Sequence, residues 1–464
     1  MLVSMSKSQQ IPGNMLRFSK SWNIASKYVF FIHRLFYKSI SVEGLDNIPQ
    51  NRPIIFAPNH QNALMDPMLI LATTKQQVVF LARADIFRNR VLRTILYRLK
   101  ILPVYRIRDG KENLIKNDDS FDYVSQVLEH KRAIALFPEA QHTNKRHILG
   151  LKKGVPRVAF MAEERNNFTL GVLVIPVGIY FSRYNTFRSV AHVRYGTPIE
   201  VQKFAEMYRE NEQKAQIALR DEIAMQLHNL AINISNLKLY NMYESLRTLF
   251  VKQCIKQFKL GKLTQLNRFR ADKITIAAIE RYETENIDGL LQLNQLTERF
   301  ELLKKQYRLS NQSIEKPKLN MIRLIASSLL LLVTIPVFLY GFINNFIGYI
   351  IPKILVLKIK DKQFHSSVKF VWGLFVLPLF YLIQTLIFYF ATGHLVFSLI
   401  YIVSLPISGF AAQAWFEWLV IVLHDYRRIW LRKAKPETYA DIKELHSTIC
   451  KIVSEIATIY ASKA

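Results

Sequence analysis

The chain has 464 residues, half of them hydrophobic, and carries 63 Lys and Arg against 35 Asp and Glu, a formal net charge of +28. That length exceeds one ordinary domain, and the charge calls for an anionic partner: nucleic acid, membrane phospholipid or a phosphorylated substrate. Abundant aromatic and aliphatic residues favour the membrane over nucleic acid, and two distant cysteines, Cys254 and Cys450, support neither a zinc site nor a disulfide framework. The polar start lacks the charged-then-apolar pattern of a cleavable signal peptide, so none is expected.

In chain order, residues 15–40 alternate aromatic and aliphatic side chains with Lys and Arg at helical spacing. This predicts an amphipathic helix lying in the interface of an anionic membrane. Residues 41–200 carry short apolar runs of strand length, Ile54-Ile55-Phe56, Val78-Val79-Phe80-Leu81, Ala133 to Phe137 and Val172 to Ile175. Helix-compatible stretches near 85–99, 118–130 and 153–165 separate them, so the expected fold is α/β, a sheet flanked by helices. Residues 201–318 contain no proline until Pro317 and predict a helical region without a catalytic constellation. From 319 to 426 the chain is strongly apolar. Transmembrane helices are expected at 324–343, 370–391 and 394–416, with Phe346–Leu357 too short to span. Ala391-Thr392-Gly393-His394 marks a hairpin. Residues 427–464 are expected as a basic cytoplasmic tail, and Lys and Arg flanking every apolar segment place both soluble ends in the cytoplasm.

Four blocks within the α/β region carry chemistry. The first, Ala57-Pro58-Asn59-His60-Gln61-Asn62-Ala63-Leu64-Met65-Asp66-Pro67, sets a histidine and a carboxylate close together after an apolar strand. Neutral imidazole can take a proton from a hydroxyl near pH 7, and a carboxylate can hold its tautomer and stabilise the imidazolium. The second block, Leu102-Pro103-Val104-Tyr105-Arg106 with Arg108 beyond it, delivers arginine to a loop, where a guanidinium can grip phosphate. In the third, Leu136-Phe137-Pro138-Glu139-Ala140-Gln141-His142, Glu139 stands at a strand end, where sites of α/β sheets lie. The fourth, Val174-Ile175-Pro176-Val177-Gly178, breaks a buried strand with proline and admits close backbone approach at glycine.

In this order the four blocks resemble the glycerophospholipid acyltransferase family, over roughly residues 45–200. The resemblance implies an α/β acyltransferase domain with His60 as general base and Asp66 as its orienting partner. It further implies that Arg106 binds the acceptor phosphate, that Glu139 positions the acceptor, and that Pro138, Pro176 and Gly178 shape the site. Two departures stand out. His60 and Asp66 are separated by five residues, Gln61 to Met65, one more than is usual in the family. The extra residue, the multiple C-terminal apolar spans and the length resemble a branch including dual-substrate glycerol-3-phosphate/dihydroxyacetone-phosphate enzymes. Ala140 replaces the usual glycine, which is tolerable unless the position needs positive φ, and Lys145, Arg146, Lys152 or Lys153 would have to supply positive charge missing nearby.

The implied reaction is direct acyl transfer from acyl-CoA or acyl-carrier protein to the hydroxyl of 1-acylglycerol-3-phosphate. No metal, cofactor or acyl-enzyme intermediate is expected. Glycerol-3-phosphate, dihydroxyacetone phosphate or another lysophospholipid is the alternative acceptor, and a non-catalytic lipid-binding membrane scaffold is the alternative class. The expected partners are therefore the acyl donor, a glycerophosphate or lysophospholipid acceptor and an anionic membrane, without nucleic acid.

Overall fold

The structure, a computed structural model, describes residues 19–104, 115–316 and 320–461. The chain forms two compact units: residues up to Asn233 together with Asp361–Ser367, and Ile234–Lys360 together with Val368–Ala464.

The first unit is built on an eight-stranded mixed sheet. Its strands are β1 (Ser39–Glu43), β2 (Ile54–Pro58), β3 (Val78–Arg83), β4 (Ile101–Val104), β5 (Ala133–Ala135), β6 (Leu173–Phe181), β7 (Val190–Tyr195) and β8 (Ile199–Glu200), in the order β1-β7-β6-β2-β5-β3-β4 with β8 beside β6. Strands β6, β2, β5, β3 and β4 are parallel, and β7 and β8 pair with β6 antiparallel. The central strands are buried on both faces, which is why they appear in the sequence as continuous apolar runs rather than alternating ones. Pro176 sits inside β6 at the changeover between the stretch that pairs with β8 (Leu173 and Val174) and the stretch that pairs with β7 (Val177 to Phe181). A missing N–H breaks no ladder bond there, and the Pro176 carbonyl accepts from Gly196 N at 2.8 Å.

Helices of this unit are α1 (Lys20–Phe36), α2 (Met65–Thr73), α3 (Arg90–Arg98), α4 (Ile115–Glu129), α5 (Gly154–Arg165), α6 (Ala205–Glu210) and α7 (Glu212–Leu230). The strands and helices expected from the sequence are present with shifted ends. One boundary differs. Helices α6 and α7, assigned from sequence to a separate helical region, belong to the α/β unit: Ala215, Leu219, Ile223 and Leu227 of α7 share a core with Val155, Val158 and Ala159 of α5 and Val174 of β6. Their i, i+4 spacing gives an apolar stripe, but nothing local in a stripe tells which surface it covers.

In the second unit, α8 (Tyr240–Gln257), α9 (Gln265–Glu285), α10 (Ile287–Gln306) and the short α11 (Asn311–Glu315) form a bundle. The buried Arg247 guanidinium binds Asp272 at 2.8 Å and Glu244 at 2.7 Å inside it. Then come α12 (Met321–Val333), α13 (Ile335–Leu357), α14 (His365–Val371), α15 (Leu377–Thr392), α16 (Leu395–Ala434) and α17 (Pro436–Ala461), α14 starting within the first unit's 361–367 segment. Among the described residues, three helical stretches, Ile335–Leu357, Lys362–Thr392 and Leu395–Ala434, are long and apolar enough to cross a membrane.

Two sequence expectations change here. The span placed at 324–343 is broken at Thr334, where Pro336 starts a new helix; the spanning-length element is α13, which absorbs the segment from Phe346 that was judged too short. The expected tail is also replaced. Residues 436–461 form α17, and Ile442, Ile449, Val453, Ile456 and Ala457 are buried as it packs on α8, α9 and α10. The hairpin is where it was expected, with Gly393 at φ 71° between α15 and α16. Helices α13 and α16 touch closely at Gly341, where a Cβ would lie 2.2 Å from the Ser408 carbonyl, and Asn345 donates across to Leu405 O at 3.1 Å.

Candidate active site

The carboxyl ends of three adjacent parallel strands, β6, β2 and β5, deliver the residues that build the site. β2 ends at Pro58 and is followed by His60; β5 ends at Ala135 and is followed by Glu139; β6 ends at Phe181 and is followed by Tyr184. Asn59 locks the first of these exits. Its side chain bonds both ways with the Ile179 peptide, accepting from N at 2.6 Å and donating to O at 3.2 Å, so it extends the β2–β6 pairing by one buried polar residue.

The loop then turns back into α2, which places Asp66 in its first turn beside His60. His60 Nδ1 and Asp66 Oδ2 lie 2.8 Å apart. The same carboxylate oxygen accepts the backbone N–H of Gln61 at 2.9 Å and of Asn62 at 2.8 Å. Asp66 is fully buried at the amino end of a helix, where the peptide dipoles favour an anion. With Nδ1–H donated to Asp66, Nε2 carries the lone pair. The His60 side chain is 15% exposed, and among the described residues no group is hydrogen-bonded to Nε2. Between the pair, Ala63 adopts φ 42°, and Met65 is buried in the core. Behind the pair, the fully buried Tyr37 phenol is pushed well above its usual range by burial and by the Asp66 carboxylate.

The imidazole is held between rings. Phe137 stacks on it at 4.1 Å between centroids, and His142 meets it edge-on at 5.0 Å. Both come from the third sequence block, so that block approaches the histidine through rings that flank Glu139 in sequence.

Glu139 itself is buried. Its Oε1 accepts His60 N at 2.7 Å and its Oε2 accepts Leu149 N at 2.8 Å, so both oxygens are engaged by backbone rather than left open toward an acceptor. Burial pushes this carboxyl up to about 8; the two amides oppose that shift and Asp66 reinforces it. Pro138 forms the turn before it, its carbonyl accepting Lys152 N at 2.8 Å. Ala140 adopts φ 55°, the left-handed conformation that glycine adopts without steric cost.

The remaining expected residues fall elsewhere. Arg106 and Arg108 lie outside the described residues. Gly178 is buried in β6 and faces α7 instead of the pair: a Cβ there would lie 2.2 Å from the Leu230 carbonyl. Arg146 is buried, stacked against Tyr180 and Tyr184 at 4.9 and 5.0 Å and donating to Phe181 O at 2.6 Å. Lys145, Lys152 and Lys153 are exposed. Tyr184 escaped the sequence reading, yet its hydroxyl donates to Gln61 Oε1 at 2.6 Å and its carbonyl accepts from Asn62 Nδ2 at 3.5 Å. The one local signal was the polar run Asn59, Gln61, Asn62 directly after a wholly apolar strand; all three prove buried.

Part of the chain is similar to known proteins. The acyltransferase family model matches residues 39–180. Glycerol-3-phosphate O-acyltransferase 2 of Saccharomyces cerevisiae is 29% identical over 156 residues, and glycerol-3-phosphate O-acyltransferase 1 of the same yeast is 28% identical over 158 residues. Each match covers 33% of this chain but only 21% of the relative's length. Among solved structures, the 1-acyl-sn-glycerophosphate acyltransferase of Thermotoga maritima shares 20% identity at a TM-score of 0.32, covering 44% of this chain and 81% of that one. Over residues 39–180 the chain is thus similar to acyltransferases, the yeast glycerol-3-phosphate O-acyltransferases among them.

Proposed function

We propose that this protein is a membrane-bound O-acyltransferase of glycerolipid synthesis. It moves a fatty acyl group from a thioester donor, acyl-CoA or acyl-carrier protein, to a glycerol hydroxyl of a phosphorylated acceptor. The observation that carries the reading is the His60 Nδ1–Asp66 Oδ2 contact of 2.8 Å, with Nε2 free to take a proton. In the reaction, Nε2 removes the acceptor's hydroxyl proton as its oxygen attacks the thioester carbonyl carbon. The tetrahedral intermediate collapses by breaking the C–S bond, and the imidazolium returns the proton to the departing thiolate. Asp66 stabilises the imidazolium between these events. Glu139 acts as a positioning residue, holding the backbone of His60. This chemistry calls for no resident metal or cofactor.

For the acceptor, the relatives' names and the five-residue spacing favour glycerol-3-phosphate, with 1-acylglycerol-3-phosphate as the second reading, favoured by the apolar character of the chain. The membrane assignment draws on the three apolar helices and on α1, whose Ile24, Tyr28 and Phe31 form an exposed apolar stripe beside Lys20, Lys27 and Arg34. Lysine and arginine flanking the apolar segments favour a cytoplasmic face for the catalytic domain. The test is an acceptor panel. Purified full-length protein receives labelled acyl-CoA or acyl-carrier protein with glycerol-3-phosphate, dihydroxyacetone phosphate or 1-acylglycerol-3-phosphate. Glycerol-3-phosphate should give the highest kcat/KM; no transfer to any acceptor by folded protein overturns the reading.

A further inference from the structure

The backbone N–H groups of the loop that presents His60 have these acceptors. Asn59 N goes to Val177 O at 3.2 Å, His60 N to Glu139, Gln61 N and Asn62 N to Asp66, and Met65 N to Asn62 O at 2.9 Å. All of these acceptors lie inside the acyltransferase domain. Leu64 N is different: it donates to Ser367 Oγ at 3.2 Å, a residue 303 positions away. Ser367 belongs to Asp361–Ser367, the short segment after Ile335–Leu357 that packs as part of the first unit.

Two neighbours on this segment reach the same loop through one intervening residue each. Ser366 is wholly buried and donates its hydroxyl to Tyr184 O, the carbonyl that also receives Asn62 Nδ2. Phe364 meets the His142 ring edge-on at 4.9 Å, and His142 in turn meets His60 at 5.0 Å. The segment thus holds the catalytic loop at its end, through Ser367, and flanks the imidazole through His142. A buried serine hydroxyl and an amide that would otherwise lack an acceptor each cost free energy unless paired, so the contact is specific rather than incidental packing.

We propose that Asp361–Ser367 is a positioning element for the catalytic histidine: Ser367 and Ser366 fix the 59–66 loop, and Phe364 fixes the imidazole through His142. The proposal rests on the acyl-transfer reading for its catalytic consequence, though not for the contact itself. Its chemistry follows from the narrow tolerance of proton transfer for misalignment, where about 1 Å of displacement can cost on the order of 100-fold in rate. From the sequence these residues fell within the 319–426 transmembrane region, without a role at the site.

The experiment uses the full chain in detergent with Ser367→Ala, Ser367→Thr, Phe364→Ala and Phe364→Tyr, and two readouts. One is kcat and KM for acyl transfer; the other is amide hydrogen exchange in peptides covering residues 59–66. Ser367→Ala should lower kcat about 10- to 100-fold with KM nearly unchanged and speed exchange in the loop, and Ser367→Thr, which keeps the hydroxyl, should restore both. Phe364→Ala should lower kcat and Phe364→Tyr should recover it. Unchanged exchange in Ser367→Ala, a loss confined to KM, or a loss of activity that only tracks unfolded protein overturns the proposal. If wild-type protein transfers nothing, the acyl-transfer reading fails, and faster exchange in Ser367→Ala still upholds the contact separately.

Discussion

Asp66→Asn separates the two jobs that the structure gives this carboxylate. Oδ2 accepts three N–H donors, from His60 Nδ1 and from the backbone of Gln61 and Asn62. An asparagine oxygen in that place still accepts the two backbone bonds, so the turn into α2 keeps its form. The change also removes a fully buried charge that has no cation beside it and whose Oδ1 has no hydrogen-bond partner among the described residues. That gain offsets the weakening of charge-assisted bonds, and stability should move by no more than about 1–2 kcal/mol. On the proposed mechanism the loss falls on the transition state, where His60 is an imidazolium. Charges about 4 Å apart in an effective dielectric near 20 attract by about 4 kcal/mol, which corresponds to roughly 10³-fold in rate. The assay is kcat/KM for acyl transfer alongside a thermal melt of the same preparation. A rate within about tenfold of wild type, with the fold intact, would refute Asp66 as the electrostatic partner of His60.

Other consequences can be measured independently. Glu139 in the folded chain titrates at about 8 against an ordinary 4.5, so the folded form holds more protons between those values and stability declines as pH rises from about 4.5 to about 8. Glu139→Gln should flatten that decline in a plot of melting temperature against pH, and an unchanged slope would count against the assignment. Ala140→Gly relieves an exposed alanine at φ 55° and should raise stability by about 1 kcal/mol, since left-handed backbone costs non-glycine residues about 1–2 kcal/mol and glycine returns part of it in entropy. A lower melting temperature would contradict this. Gly178→Ala drives a Cβ into the Leu230 carbonyl and should destabilise by about 1–3 kcal/mol while the folded fraction keeps its KM for acceptor; a raised KM at unchanged stability would return Gly178 to the substrate site.

What the sequence made legible was local. The His60–Asp66 pair could be read because its two members are six positions apart on one strand–turn–helix, and the central strands because burial on both faces leaves unbroken apolar runs. The fate of Glu139 was not legible, because a carboxylate at a strand end looks the same whether it faces a substrate or accepts two amides. The amphipathic stripes of α7 and α17 announced helices without naming the surfaces they cover, so α7 was placed outside the catalytic unit and α17 was taken for a tail. The break at Thr334 was signalled by Pro336 but outweighed by the uninterrupted hydropathy around it. Tyr184 and Ser367 reach the catalytic loop across 122 and 303 positions, separations over which no periodicity carries information.

The most direct test of the central claim compares initial rates of acyl transfer to glycerol-3-phosphate by wild-type protein and His60→Ala, both shown to be folded by the same melt. Loss of the proposed general base should lower kcat by about 10²–10⁴-fold with a far smaller change in KM. Transfer by His60→Ala at a rate close to wild type would contradict the account.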